Sequence, residues 1–277
     1  MRQGRALLGA GCLALASACA EEQAPIETAV IYVAATTNAT TALAGFYDEL
    51  FGSNRCKSES FDRCIVSTCF DGGARRTYVD GGEIDIQGDE LDVRLDTGRV
   101  EDENGNVGPG LAVAEGLPAL SDNEQLTMTV RGRGSVSRAE GSVTMPARLE
   151  LIEPEVDELS CQGVDPETLP AVSISADDDF TIRWTSERAD DVDILFFFDD
   201  VADYTGDEDR ERATAIRCLH TADEERATIP EEVVERMPTG VRGSFTMRQI
   251  VRNATLVGDW SITFGGYWEL CAPVEVE

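Results

Sequence analysis

The sequence has little positive charge: 23 Lys and Arg stand against 53 Asp and Glu in 277 residues, for a formal charge of −30. Phosphate backbones and anionic headgroups are bound by Lys and Arg that displace counterions, so this balance excludes nucleic acid as a partner. Histidine is almost absent, with His220 alone. A Ser-His-Asp site would have to use it, yet no serine sits in a Gly-x-Ser-x-Gly context, and a lone histidine at a strand end reads as structural. No Cys-x-x-Cys pair occurs, which leaves zinc without its usual ligand spacing. Long apolar runs are missing too. The longest, Ala6 to Ala18, holds about 13 small or apolar residues, short of the about 20 that a helix needs to cross about 30 Å of hydrocarbon.

That run has a specific setting. Arg2 and Arg5 give it a basic start, and Leu15-Ala16-Ser17-Ala18-Cys19 closes it, so residues 1–19 read as an export signal. The closing residues resemble a bacterial lipobox, in which small residues precede a cysteine that is lipidated on sulfur and becomes the new N-terminus. Here that residue is Cys19. The position three before the cysteine is Ala16 rather than the usual Leu, and ordinary cleavage after Ala18, releasing an unanchored chain, is the competing reading. The resemblance implies attachment to a membrane through two or three acyl chains, each buried CH₂ contributing about 0.8 kcal/mol. Ala20 after the cysteine implies the outer membrane. Removing Arg2 and Arg5 leaves 21 basic against 53 acidic residues, or −32 for the mature chain.

In an exported chain the six remaining cysteines, Cys56, Cys64, Cys69, Cys161, Cys218 and Cys271, read as up to three disulfides. Three lie on each side of residue 155, so full pairing demands at least one bond between the halves. Cys161, nearest the divide, is expected to supply it.

Residues 20–28 form an acidic tether with a reach of roughly 30 Å at about 3.3 Å per residue. A first β unit is expected over 29–153. Ala29 to Thr36 reads as a buried strand, and Leu43, Phe46, Tyr47, Leu50 and Phe51 recur at helical spacing up to Gly52, predicting a short amphipathic helix. Ile84 and Ile86, then Leu91, Val93 and Leu95, alternate with polar residues on either side of Gln87-Gly88-Asp89-Glu90, as hairpin strands do. Leu126 to Val130 and Ser142 to Ile152 continue the alternation. Residues 154–170, with three prolines and no periodicity, read as a linker.

A second β unit is expected over 171–277. Phe180, Ile182 and Trp184 share one face, and the apolar run Val192 to Phe198 is expected to pair with that strand. Thr214, Ile216 and Cys218 alternate again. Pro230, Glu231 and Glu232 open a helix that ends at Pro238 and turns Val233, Val234 and Met237 to the sheet. Gly265-Gly266 is expected to turn a terminal hairpin of Gly258 to Phe264 and Tyr267 to Ala272, placing Trp260 opposite Cys271. The short strands, Trp184 and late cysteines are similar in general form to immunoglobulin-like sandwiches, without their Cys-Trp-Cys spacing. The predicted fold class is mainly β, two β-sandwich-like units of antiparallel strands with one or two short helices.

Three patterns bear on chemistry. Asp96-Thr97-Gly98 resembles the active-site turn of aspartic proteases, but it occurs once and Arg99 follows where that family has Ser or Ala, so it reads as a hairpin turn. Acidic clusters recur, and calcium is the metal they suit. Asp102, Asn104 and Asn106 fall at alternate positions like the start of an EF-hand loop, although Val107 and Val113 then occupy its glycine and glutamate positions. Asp199, Asp203 and Asp207 form a second acidic loop; a solvated surface is the plainer reading of both. Tyr267 and Trp268 could offer an aromatic platform to a sugar, against core packing as the alternative. The function expected from these residues is a lipid-anchored cell-envelope protein, not an enzyme, that binds an envelope protein or glycan or has a structural role, with calcium-dependent recognition one form of it. A secreted hydrolase working through carboxylates is the alternative.

Overall fold

The computed structural model describes residues 27–36, 39–49, 56–70, 77–101, 107–156, 169–200 and 212–277. The fold is mainly β. Up to residue 156 the strands are β1 (Glu27–Ala35), β2 (Thr40–Glu49), β3 (Cys56–Phe61), β4 (Cys64–Phe70), β5 (Thr77–Tyr78), β6 (Glu83–Gln87), β7 (Asp92–Asp96), β8 (Val100–Glu101), β9 (Val107–Gly108), β10 (Ala112–Leu117), β11 (Gln125–Val130), β12 (Ala139–Thr144) and β13 (Glu150–Glu153). After residue 169 come β14 (Val172–Ile174), β15 (Phe180–Thr185), β16 (Asp191–Asp200), β17 (Arg212–Thr221), β18 (Arg226–Ile229), the single helical turn α1 (Glu231–Val234), β19 (Arg242–Val257) and β20 (Trp260–Val276).

Eleven strands make one sheet, ordered β10-β2-β1-β20-β19-β16-β17-β4-β3, with β14 also beside β20 and β5 beside β2. Its long central hairpin fixes the arrangement. β19 covers one edge of the 17-residue β20, leaving a long opposite edge whose N–H and C=O groups need partners. β1 satisfies the first part in parallel, Glu27 to Ala35 against Trp260 to Trp268, and β14 satisfies the last, Val172 to Ile174 against Val274 to Val276. The sheet thus runs across the expected boundary at 154–170: strands from before it flank β20, β19, β16 and β17 on both sides.

One face of this sheet is apolar at every second position. Ala29, Ile31 and Val33 on β1, Ile262, Phe264 and Trp268 on β20, and Val192, Ile194 and Phe196 on β16 are all buried. Two smaller sheets cover it, the four-stranded β12-β11-β6-β7 and the three-stranded β13-β15-β18. The contact is close enough to require glycine. A Cβ at Gly141 on β12 would fall 2.3 Å from the Phe264 ring, and one at Gly81 would fall 2.3 Å from Phe46. Over the other half, Phe180 meets Phe196 edge-on at 6.1 Å and Trp184 lies 6.3 Å from His220. One continuous apolar core results, in which truncating a buried ring such as Phe264 to Ala costs about 3–5 kcal/mol.

The alternating stretches around Ile84 to Leu95 and Thr214 to Cys218 form as expected, whereas Ser142 to Ile152 is divided between β12, ending at Thr144, and β13, starting at Glu150. Ile84 pairs with Leu95 and Ile86 with Val93, and Thr214, Ile216 and Cys218 are all buried. Four expectations need correction. Residues 40–49 are strand β2, not a helix, because Ala42, Ala44 and Phe46 also satisfy a period of two and face the core between β1 and β10. β15 and β16 do not pair; they lie in different sheets and meet face to face through Phe180 and Phe196. The helix is a single turn, Glu231–Val234, with Pro230 at its N-cap, although Val233, Val234 and Met237 are buried as expected. The terminal hairpin turns at Gly258-Asp259 and not at Gly265-Gly266, so Trp260 faces Val257 and Cys271 faces Thr246.

That last correction has a packing cause. A Cβ on Gly265 would lie 2.1 Å from the Tyr32 ring, and one on Gly266 would lie 2.3 Å from the Met145 sulfur. These glycines admit neighbours to a straight strand. Gly258, with φ +62°, is the residue that takes the left-handed turn conformation.

Candidate binding face

The other face of the large sheet collects polar groups from four strands. Register places Leu219 opposite Asp193, Asp193 opposite Arg248, and Arg248 opposite Glu269, so charge alternates in sign along one row. Opposite charges directly across strands attract, and like charges would repel. Arg217, diagonal to Asp193, donates from Nε to both carboxylate oxygens at 2.8 and 3.1 Å. Arg248 donates to Glu269, and Arg252 to Asp191. Asp193 is almost fully enclosed, its side chain 4% exposed, so its pairing is a requirement rather than an ornament of the surface.

Aromatic rings extend the row. The Arg248 guanidinium lies over the Tyr267 ring at 5.2 Å, and Tyr32 stands 5.9 Å from Tyr267 on the neighbouring strand. Burial pushes both tyrosine pKa values up, with nearby arginines opposing it, so the phenols stay protonated well past neutrality. For Arg248 burial opposes the charge, but Glu269 and Tyr267 outweigh it and the pKa is raised.

Beside this polar row the same face exposes large apolar groups. Ile65 is 47% exposed, Phe197 45% and Leu219 38%. Ile65 lies opposite Arg217 and Arg217 opposite Leu195, so β4, β17 and β16 bring these side chains around the Asp193–Arg217 pair.

The platform expected of Tyr267 and Trp268 is corrected in part. Trp268 points to the core, 6% exposed, with its Nε1 donating to the Pro146 carbonyl at 2.8 Å. Tyr267 is on the outer face, but Arg248 lies over its ring and Tyr32 beside it. Trp268 therefore presents no ring face to a sugar, and Tyr267 shares its ring with Arg248.

The other sequence candidates are placed as follows. Cys64 and Cys218 form a disulfide between β4 and β17, and this bond joins the two halves of the chain. Cys56 lies opposite Cys69 in the β3–β4 register, and Cys271 is disulfide-bonded as well. Cys19 and Cys161 lie outside the described residues, as do Asp102, Asn104, Asn106, Asp203 and Asp207. Asp199 is the penultimate residue of β16, opposite Ala213. Among the described residues no three His, Cys, Asp or Glu side chains are grouped to hold a metal. His220 is buried between the layers, with Nδ1 3.0 Å from Glu224, which also accepts from Arg63. Asp96-Thr97-Gly98 forms a turn in which the buried Thr97 hydroxyl bridges the Gly82 carbonyl and the Gly81 amide.

Sequence reasoning missed the binding face because its charges come from separated strands. One signal was legible: Asp193 interrupts the apolar run Val192 to Phe198. A scan against protein-family models finds no match to the sequence, and a search of curated proteins finds none either.

Proposed function

We propose that the chain is a lipid-anchored protein of the bacterial cell envelope, held in the outer membrane through Cys19, whose body binds a protein partner without catalysing a reaction. The observation that supports recognition is the outer face of the large sheet, where Ile65, Phe197 and Leu219 are exposed around the Asp193–Arg217 pair. Exposed apolar groups beside fixed Arg and Tyr side chains have the composition of an interface core. The paired charges favour docking further. Asp191, Asp193 and Glu269 already hold Arg252, Arg217 and Arg248, so a partner covering them leaves no buried charge without its counterpart. The anchor rests on Arg2, Arg5, the apolar run and Ala18-Cys19, and the short stretch of chain between Cys19 and β1 at Glu27 keeps the body near the membrane.

The test uses cells expressing the wild-type chain, Cys19→Ala, or Phe197→Ser with Leu219→Ser. Labelled palmitate is expected in the wild type and the surface variant and absent from Cys19→Ala. Chemical crosslinking is expected to give a discrete adduct with the wild type that the surface variant lacks. Purified protein is expected to leave pooled peptidoglycan, polysaccharide and peptide substrates unchanged. Turnover that a single Asp→Asn substitution abolishes would replace recognition with carboxylate-based hydrolysis.

A calcium-dependent form of this recognition rests on the spacing of Asp102, Asn104 and Asn106. A saturable rise in melting temperature on adding Ca²⁺ after EDTA supports it, since a ligand stabilises by RT ln(1 + [L]/Kd), and an unchanged curve removes it.

A further inference from the structure

The four-stranded sheet carries a second candidate site on the face turned away from the core. Period-two alternation points Asp85 outward from β6, Arg94 from β7, Thr129 from β11 and Arg131 from just past its end, and register sets Asp85 between Arg94 and Thr129. The two arginines are locked onto that one carboxylate. Arg94 Nε donates to Oδ1 at 2.6 Å, and Arg131 Nε donates to Oδ2 at 2.6 Å. Each therefore spends its Nε edge, and Glu83 stands near both Nη1 atoms, at 3.9 and 3.3 Å. The Nη2 groups remain for a ligand. Hydrogen bonds from Arg131, against the effect of burial, hold the Asp85 carboxyl below its ordinary range, so the clamp persists into mild acid.

These groups line an open depression of about 570 Å³, within the size range of small-molecule sites. Arg138 joins the lining from the far side, is exposed, and takes part in no ion pair among the described residues. Asp92, Gln87 and Thr129 complete it, with no apolar side chain among them. A hydrophobic ligand would gain nothing there. The Nη2 group of Arg131 and the unpaired guanidinium of Arg138 can each donate charge-assisted hydrogen bonds to a carboxylate. Asp92, Gln87 and Thr129 supply the acceptors and mixed donors that hydroxyl groups require.

We propose that this depression binds a sugar acid, taking its carboxylate on Arg131 and Arg138 and its hydroxyls on Asp92, Gln87 and Thr129. The ligand is a uronic acid unit, either free or within an acidic polysaccharide. The strongly negative chain would repel such an anion elsewhere, whereas here the three arginines balance Asp85, Glu83 and Asp92, leaving the depression without net negative charge.

The test follows the arginine Nε–Hε signals of the ¹⁵N-labelled protein by NMR during titration with galacturonate, its dimer and trimer, maltotriose, and acetate. Saturable shifts at Arg94, Arg131 and Arg138 are expected with the sugar acids. Maltotriose and acetate are expected to bind about tenfold or more weakly, the loss of one set of charge-assisted or hydroxyl contacts. Arg138→Gln, checked for an unchanged backbone amide spectrum, is expected to weaken galacturonate binding by a similar factor, and Arg94→Gln to do so independently. Affinity that rises from monomer to trimer assigns the polysaccharide, and equal affinity assigns the free acid. An equal response to acetate, an equal response to maltotriose, no saturable shift, or undiminished binding in both variants would overturn the proposal.

Discussion

Cys64 and Cys218 lie directly opposite each other on β4 and β17, 4.0 Å apart at Cα and bonded, although 154 residues separate them in the chain. The bond fastens a first-half hairpin to the edge of second-half strands, on the core side of the sheet. Closing so long a loop limits the unfolded chain, a contribution of at most about 5 kcal/mol in the chain-entropy model.

Cys64→Ala combined with Cys218→Ala is therefore expected to lower the melting temperature by up to roughly 10–20 °C, at about 2–4 °C per kcal/mol for a body of this size. Calorimetry with the remaining cysteines oxidised checks it. An unchanged melting temperature would mean that β17 holds β4 by backbone pairing alone.

Gly265→Ala is expected to destabilise the protein by about 1–3 kcal/mol, the range for forcing atoms into a packed site. The new Cβ meets the Tyr32 ring, so Gly265→Ala with Tyr32→Ala should cost less than the sum of the two single changes. Urea melts of the four proteins measure the coupling. Simple additivity would show that Tyr32 does not fill the space over Gly265.

Stability is expected to fall at both ends of the pH scale, for opposite reasons. Unfolded tyrosine ionises near pH 10, whereas folded Tyr32 and Tyr267 hold their protons to higher pH, so the folded state binds more protons and loses stability as pH rises from about 10 through the folded values. Hydrogen bonds from Arg131 to Asp85 and from Arg63 to Glu224 lower those carboxyl pKa values, so the stability they contribute is present above about pH 4 and lost as pH falls through the folded values. Melting temperature against pH should flatten on its alkaline limb in Tyr267→Phe and on its acid limb in Asp85→Asn. Limbs unchanged by both substitutions would assign the pH dependence to other groups.

Asp193→Asn is expected to cost less than the about 3–5 kcal/mol of a broken buried pair, because Arg217, half exposed, turns to water and Arg248 keeps Glu269. Phe197→Ser and Leu219→Ser are expected to change stability by no more than about 0.5 kcal/mol, as exposed positions do. Denaturant melts separate the two groups. A large loss at Phe197 or Leu219 would mark them as core rather than as surface held ready for a partner.

The sequence makes the strands legible wherever one face is buried, since alternation then has a physical cause; Ile84 to Leu95 and Thr214 to Cys218 are examples. It hides what depends on distant neighbours. Gly265-Gly266 has the composition of a turn, and only Tyr32 and Met145 crossing over it explain why the strand continues. Leu43, Phe46 and Tyr47 fit a helix by spacing, but Ala42 and Ala44 lie against β1 and β10, and tertiary pairing overrides the local pattern. The candidate face was hidden for the same reason. Asp193, Arg217, Arg248 and Glu269 become a row only when four strands align, and no local spacing encodes that register.

The recognition claim is tested most directly by placing a photo-crosslinking amino acid at Leu219, at Phe197 and, on the opposite layer, at the exposed Ile152, in full-length protein in living cells. The account expects a discrete adduct of the same mass from Leu219 and Phe197, none from Ile152, and loss of the Leu219 adduct when Phe197→Ser is added. No adduct at either face position, or the same adduct from all three, would contradict it.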